Sequence, residues 1–391
     1  MKELEPAAFS WLDQHFDEAV DFWKSLIEVE SPFWNKEAVD RAVDLFAQKA
    51  ESLGLSVRRI PCASTGDGLI VTMEPLFAYT DGIALMAHLD TVHEIGAFGS
   101  PAARIDDGWM YGPGSGDCKG GAVMALYTLF ALKCAGYRKH PVKLILVGNE
   151  EGGRPDEENF LPAELSGSAA LLNCETGRAD SIVTSRKASV GAVFTVRGTA
   201  GHVGNLHAQP ASAIRAAAEK ILYLERLSDY ENRTFSCGEI RGGSVFTSVP
   251  AECTFKVNCR IRDKKDIDWL KRTLEETAAR EDAPGTSASV HITGNAIPMS
   301  PSPASDALFA CFNRATVSLG YPAWNPIHSG GGSDASYAVL AGVPAICATG
   351  VLAEGAHTTQ ERANIADMKK RARIHIRTIL DLPEGNLTLE H

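Results

Sequence analysis

The chain has 391 residues, too many for one compact core, and 45% of them are hydrophobic against 22% charged, the balance of an ordinary globular protein. A formal charge of −11 argues against nucleic acid or an anionic membrane surface as the main partner. No apolar run reaches membrane-spanning length, and the opening Met1-Lys2-Glu3-Leu4-Glu5 lacks the basic and apolar parts of a secretory signal, so a cytoplasmic location is expected.

Residues 7–28 and 37–53 carry apolar positions at helical spacing, the second run capped by Asn35, and these helices are expected to cover one face of a sheet. Strands are predicted over 56–60, 69–73 and 83–87, the last a buried, central one. It runs into Ala87-His88-Leu89-Asp90-Thr91-Val92, where alternation puts His88 and Asp90 on one side of the chain. An imidazole and a carboxylate at a strand's carboxyl end are either a hydrogen-bonded pair or a metal ligand with its orienting partner. The glycine-rich stretch 111–121 precedes a helical run over 122–132. It fits neither the phosphate-binding loop pattern nor a dinucleotide fingerprint, so its glycines are expected to let the backbone pass close to a site into which Asp117 points.

A second buried strand, 142–147, ends in Gly148-Asn149-Glu150-Glu151, and a third apolar run from 169 ends at Glu175. Adjacent carboxylates repel unless solvated or compensated by a cation or a proton. From about residue 188 the order becomes strand 191–198, helix 210–227, strands 234–242 and 252–261, helix 265–283 and strand 289–294, the ferredoxin-like arrangement. The chain therefore divides into 1–187, an inserted domain 188–297, and 298–391, with the Pro298, Pro301 and Pro303 segment as the return linker. A helix over 304–319, the loop 329–335, a strand 345–348 and a last helix 365–380 rejoin the first sheet, and His357 lies between the last strand and helix. The nine cysteines, odd in number and without a CxxC pair, are expected to be reduced and mostly buried. Leu389-Glu390-His391 reads as the start of a purification tag.

His88, Asp117, Glu151, Glu175 and His357 form a candidate ligand set of two imidazoles and three carboxylates, suited to zinc or another first-row divalent ion and unlike a Cys-based structural site. One carboxylate shared by two ions, with one His and one terminal carboxylate on each, is the two-metal hydrolase pattern.

The chain resembles the M20 zinc peptidases. The resemblance is carried by His88-Leu89-Asp90-Thr91-Val92, Gly116-Asp117-Cys118-Lys119-Gly120-Gly121, Asn149-Glu150-Glu151-Gly152, Glu175, Gly201-His202-Val203-Gly204, Gly331-Gly332-Ser333-Asp334-Ala335 and His357. It implies an α/β fold, a di-zinc aminopeptidase-like catalytic domain with a mixed central sheet flanked by helices, and an inserted ferredoxin-like lid or dimerisation domain. It further implies that His88 and Glu175 hold one zinc and Glu151 and His357 the other, cobalt or manganese being substitutes, with Asp117 bridging. Asp90 would orient His88, and Glu150 would be the general base toward a water held between the ions. A homodimer follows, because His202 takes the place of a histidine that relatives supply from the partner subunit to the oxyanion. Arg260, by its offset from Pro250, matches the substrate-carboxylate arginine of the glutamate-carboxypeptidase branch. Thr247, where relatives often carry Asn, and Gly331 join the substrate-binding set. The implied reaction is cleavage of an amide next to a free carboxylate in a small peptide, with an N-acyl amino acid deacylase of the acetylornithine deacetylase or aminoacylase type as the alternative. A non-catalytic relative is disfavoured because every metal and base position is filled. Val203 and His207 depart from the family's alanine and proline in the His202 loop, Cys118 is expected to be oxidation-sensitive beside the metals, and His93 is read as outside the ligand set, near it or facing solvent. The peptide between Asp117 and Cys118 is expected to be cis.

Overall fold

The apolar runs at 83–87, 144–147 and 169–172 become adjacent strands of a six-stranded sheet. Its order is Ser56–Ile60, Gly66–Thr72, Val142–Gly148, Gly82–His88, Ser168–Asn173 and Ala345–Ile346, with the last four parallel and the first two antiparallel to their neighbours. A computed structural model of the chain describes residues 3–74, 79–153, 155, 159–205, 210–293 and 297–385, so His207 and residues 389–391 lie outside the described residues. Strands Gly66–Thr72, Gly82–His88 and Val142–Gly148 are buried at every position, which is why they read as continuous apolar runs rather than alternating ones.

Two compact units divide the chain: Met1–Thr184 with Pro301–His328 and Ser333–His391, and Ser185–Ser300 with Ser329–Gly332. In the first unit, Leu69, Val71, Leu85, Leu144 and Leu172 share one cluster with Trp23, Phe46 and Leu126 from the helices, each such side chain contributing about 1.5–3 kcal/mol by leaving water. Helix Gly120–Cys134 is buried from Gly120 through Leu132, apolar on all sides because it packs against the strands and against helices Leu4–Gln14, Phe16–Glu28 and Ile365–Asp381. The expected single helix over 7–28 is instead two, Leu4–Gln14 and Phe16–Glu28. His15 breaks it with non-helical backbone, its ring stacked on Trp11 at 3.6 Å and bonded to Glu18 at 2.9 Å, local contacts that apolar periodicity cannot register.

A small antiparallel sheet, unforeseen because its strands are two or three residues long, runs Ala353–Glu354, Arg362–Asn364, Trp109–Tyr111, Arg104–Asp106. It pairs Arg362 with Tyr111, and so brings the start of the glycine-rich stretch beside the segment that follows His357.

The second unit is a four-stranded antiparallel sheet in the order Arg233–Gly242, Glu252–Ile261, Ala188–Arg197, Ser287–Thr293, with helices Ala213–Glu225 and Ile267–Ala279, the ferredoxin-like pattern. Alternate residues Val190, Ala192, Phe194 and Val196 are buried, so this sheet has one covered face. All nine cysteines are free thiols, and Cys134 is the exposed one. No helix among the described residues is long and apolar enough to cross a membrane.

Candidate metal centre

The carboxyl ends of three adjacent parallel strands deliver the side chains. His88 ends Gly82–His88, Glu150 and Glu151 follow Val142–Gly148, and Glu175 follows Ser168–Asn173. Asp117 comes from the glycine-rich stretch. A Cβ on Gly121 would lie 1.9 Å from the carbonyl oxygen of Cys174, and one on Gly116 would lie 2.0 Å from the Ala353 methyl, so these two positions admit the close approach only as glycine. The Asp117–Cys118 peptide is cis. His357 stands in left-handed backbone, φ 63°, a conformation that costs a non-glycine residue on the order of 1–3 kcal/mol and that clusters at functional sites.

The five expected ligands converge. His88 Nε2 is 3.3 Å from Asp117 Oδ1 and 3.8 Å from Glu175 Oε2. His357 Nε2 is 3.3 Å from the other Asp117 oxygen, Oδ2, and 3.1 Å from Glu151 Oε1. Neighbouring ligand atoms around a tetrahedral ion with bonds of about 2.0–2.1 Å stand about 3.3 Å apart, so most of these spacings are those of side chains that could share a divalent ion. The ligand atoms of His88, Asp117 and Glu151 lie within 4.8 Å of one another, as do those of His88, Cys118 and Glu175.

Charge points the same way. Burial pushes the Glu150 carboxyl well above its ordinary range, the Glu175 charge adding to it, and burial pushes Glu151 up to about 7. Against its own burial, hydrogen bonds from His357 and His88 hold Asp117 below the usual carboxylate range, and the Asp117 bond raises His357 to about 9. Cations among these groups would restore the acids to carboxylates and the imidazoles to neutral ligands.

Asp90 has a part that alternation alone did not reveal. The nearer acceptor for His88 Nδ1 is the Asp90 backbone carbonyl at 3.0 Å, which would leave Nε2 with a free lone pair once the ring is neutral, while the Asp90 carboxylate stands 3.5 Å away. That carboxylate accepts the N–H groups of Glu150 (3.1 Å) and Glu151 (2.9 Å), and so sets the turn that presents both acids. Ser333, in the second glycine-rich motif, donates to Glu175 at 3.4 Å. The Cys118 sulfur is buried and accepts the His88 N–H at 3.1 Å, and burial pushes its pKa well up. His93 is outside the ligand set but not solvent-facing. It is 8% exposed, with Nε2 3.0 Å from Glu361.

The remaining candidates lie in the second unit. His202 pairs across the ladder with Ser248, is exposed, and accepts the Gly204 N–H on Nδ1 at 3.1 Å; the adjacent Val203 N–H donates to the Thr247 carbonyl at 3.2 Å. Val203 itself is 50% exposed. Arg260, half-buried, donates to Asn258 at 2.8 Å and to the Gly330 carbonyl at 3.1 Å, and the neighbouring Gly331 carbonyl accepts from Arg186 at 3.3 Å. His202 and Thr247 thus form one group, and Arg260 and Gly331 another.

The model of peptidase family M20/M25/M40 matches residues 84–381. The chain is 26% identical over 373 residues to carboxypeptidase G2 of a Pseudomonas species, covering 93% of this chain and 88% of that protein. It is 27% identical over 294 residues to the succinyl-diaminopimelate desuccinylase of Acidiphilium cryptum, covering 72% and 76%. The solved aminopeptidase PepT of Bacillus cereus is similar with a TM-score of 0.74 at 22% identity, covering 93% of this chain and 98% of that one, a likeness of fold.

Proposed function

Because the chain belongs to peptidase family M20/M25/M40 and is a hydrolytic enzyme, we propose that it cleaves an amide next to a free carboxylate with two divalent ions, zinc by preference, held around Asp117. The observation that carries this reading is the division of the Asp117 oxygens, one 3.3 Å from His88 and the other 3.3 Å from His357. His88 with Glu175, and His357 with Glu151, would complete the two ligand sets, and cobalt or manganese would serve in place of zinc. When bound, the ions lower the pKa of water and polarise the scissile carbonyl.

The protein's own groups do the rest. Glu150 accepts a proton from the attacking water and gives it to the leaving nitrogen, and the second water proton follows it, so that the amide and one water become a carboxylate and an ammonium group. Arg260 receives the substrate carboxylate through its planar fork, in keeping with a glutamate-type carboxypeptidase acting on a small peptide. Thr247 and Gly331 line the substrate. The desuccinylase relative favours a second reading, an N-acyl amino acid deacylase of the acetylornithine deacetylase or aminoacylase type using the same machinery.

Chelation is expected to abolish hydrolysis, and zinc or cobalt to restore it; activity indifferent to chelator would defeat the reading. With metal defined, release of C-terminal glutamate from dipeptides, compared with release of acetate or succinate from N-acyl amino acids, decides between the two substrate classes.

His202 would act on the oxyanion of a substrate bound by a second copy, with Nε2 directed to it, since Nδ1 is taken by Gly204. A homodimer through the second unit is supported by its apolar exposure: Ile214, Leu222 and Tyr223 on helix Ala213–Glu225, and Ile240 on the edge strand Arg233–Gly242. Equilibrium sedimentation at micromolar concentration is expected to give twice the chain mass. A monomer that is fully active would remove His202 from the chemistry.

A further inference from the structure

Glu361 follows His357 by four residues and is 1% exposed, yet none of the roles above uses it. A buried carboxylate is costly unless its lone pairs are filled. Here both oxygens are filled, and by two different ligand-bearing segments. Oε1 accepts the N–H groups of Gly116 (2.9 Å) and of Asp117 itself (3.0 Å). Oε2 accepts the Gly114 N–H (3.1 Å) and meets His93 Nε2 (3.0 Å), while the Glu361 carbonyl accepts the Gly112 N–H (3.3 Å). His93 lies five residues beyond His88, and Glu361 shares its own segment with His357.

We propose that Glu361 is the positioning residue of the metal centre, the group that holds the His88, Asp117 and His357 segments in the register where the two oxygens of Asp117 divide between two ions. This rests on the reading of the cluster as a metal centre. Three of the four donors are amides of the loop that delivers Asp117, so the carboxylate fixes the direction in which that side chain leaves the backbone. Charge-assisted bonds of this kind are short and strong, and a ring of them leaves the loop little freedom. Loss of such a partner of the metal ligands typically costs about 10–100-fold in metal affinity. Asp and Gln are informative replacements. Gln puts an NH2 where two donors already point, and Asp keeps the charge but withdraws it by one methylene.

The test is reloading of metal-free protein, stripped by chelator, with cobalt, read from the ligand-field absorption of the bound ion and by competition with zinc. Glu361→Gln is expected to weaken metal binding about 10–100-fold and to alter the cobalt spectrum. Its metal-free form should keep the wild-type circular dichroism, with a fall in thermal stability smaller than the fall in metal affinity. Wild-type affinity and spectrum in Glu361→Gln would overturn the proposal while leaving the metal centre standing. So would a loss of affinity no larger than the loss of stability of the metal-free form. Failure of the wild-type protein to take up cobalt would instead defeat the underlying reading. If Glu361→Gln does not fold, Glu361→Asp decides: it is expected to bind cobalt more weakly than wild type, and equal binding would overturn the assignment.

Discussion

Glu150→Gln is expected to lower kcat by about 10²–10⁴ while KM and metal content stay near wild type. The amide has nearly the shape of the acid, and the backbone that presents it is held independently by the Asp90 carboxylate, which takes the Glu150 N–H at 3.1 Å. What is lost is the site that accepts the water's proton and returns it to nitrogen. Burial, with the Glu175 charge beside it, moves this carboxyl upward from its ordinary range, a shift that neighbouring cations would offset. Steady-state kinetics with metal analysis of the same preparation check this. Loss of metal in the variant would place Glu150 among the ligands and remove it as the base.

Asp117→Asn is expected to do what Glu150→Gln does not, taking metal content below two ions per chain and kcat/KM down by on the order of 10³ or more. Asn keeps the volume, but one of its two ends is an NH2, a donor with no lone pair to offer an ion on that side. The His88 and His357 contacts to Asp117 are both 3.3 Å, so neither side has slack with which to compensate. Metal analysis after dialysis and activity at saturating zinc measure the two effects separately. A variant that kept two ions and wild-type turnover would show that Asp117 does not bridge.

Much of the centre could be read from the sequence, because the chemistry demands particular residues at the ends of apolar runs. His88, Glu151 and Glu175 stand where buried strands stop, and a strand buried on both faces is the plainest pattern a chain offers. The ferredoxin-like order was legible for a related reason, alternating strands and amphipathic helices of ordinary length. Other features have no local signature. Glu361 is one glutamate among loop residues, and its importance lies in amides more than 240 residues away. The Asp90 carboxylate looked like the partner of its neighbour His88, but its closest donors come from the turn after another strand. The break at His15 is decided by one stacked ring, too small a term to disturb the apolar periodicity.

The little sheet that pairs Arg362 with Tyr111 closes a span of 251 residues, also tied by a guanidinium–phenol bond of 3.0 Å. Loop closure over such a span costs on the order of 5 kcal/mol of chain entropy, which a few ladder bonds alone would not offset. Given that cost, those short strands are expected to pair late, once the large sheet and the terminal helix have brought their ends together. During synthesis the earliest ligand, His88, must wait for nearly the entire polypeptide to leave the ribosome before the opposite wall exists. A truncated product ending before residue 357 would lack His357 and, with it, the 3.3 Å contact to Asp117.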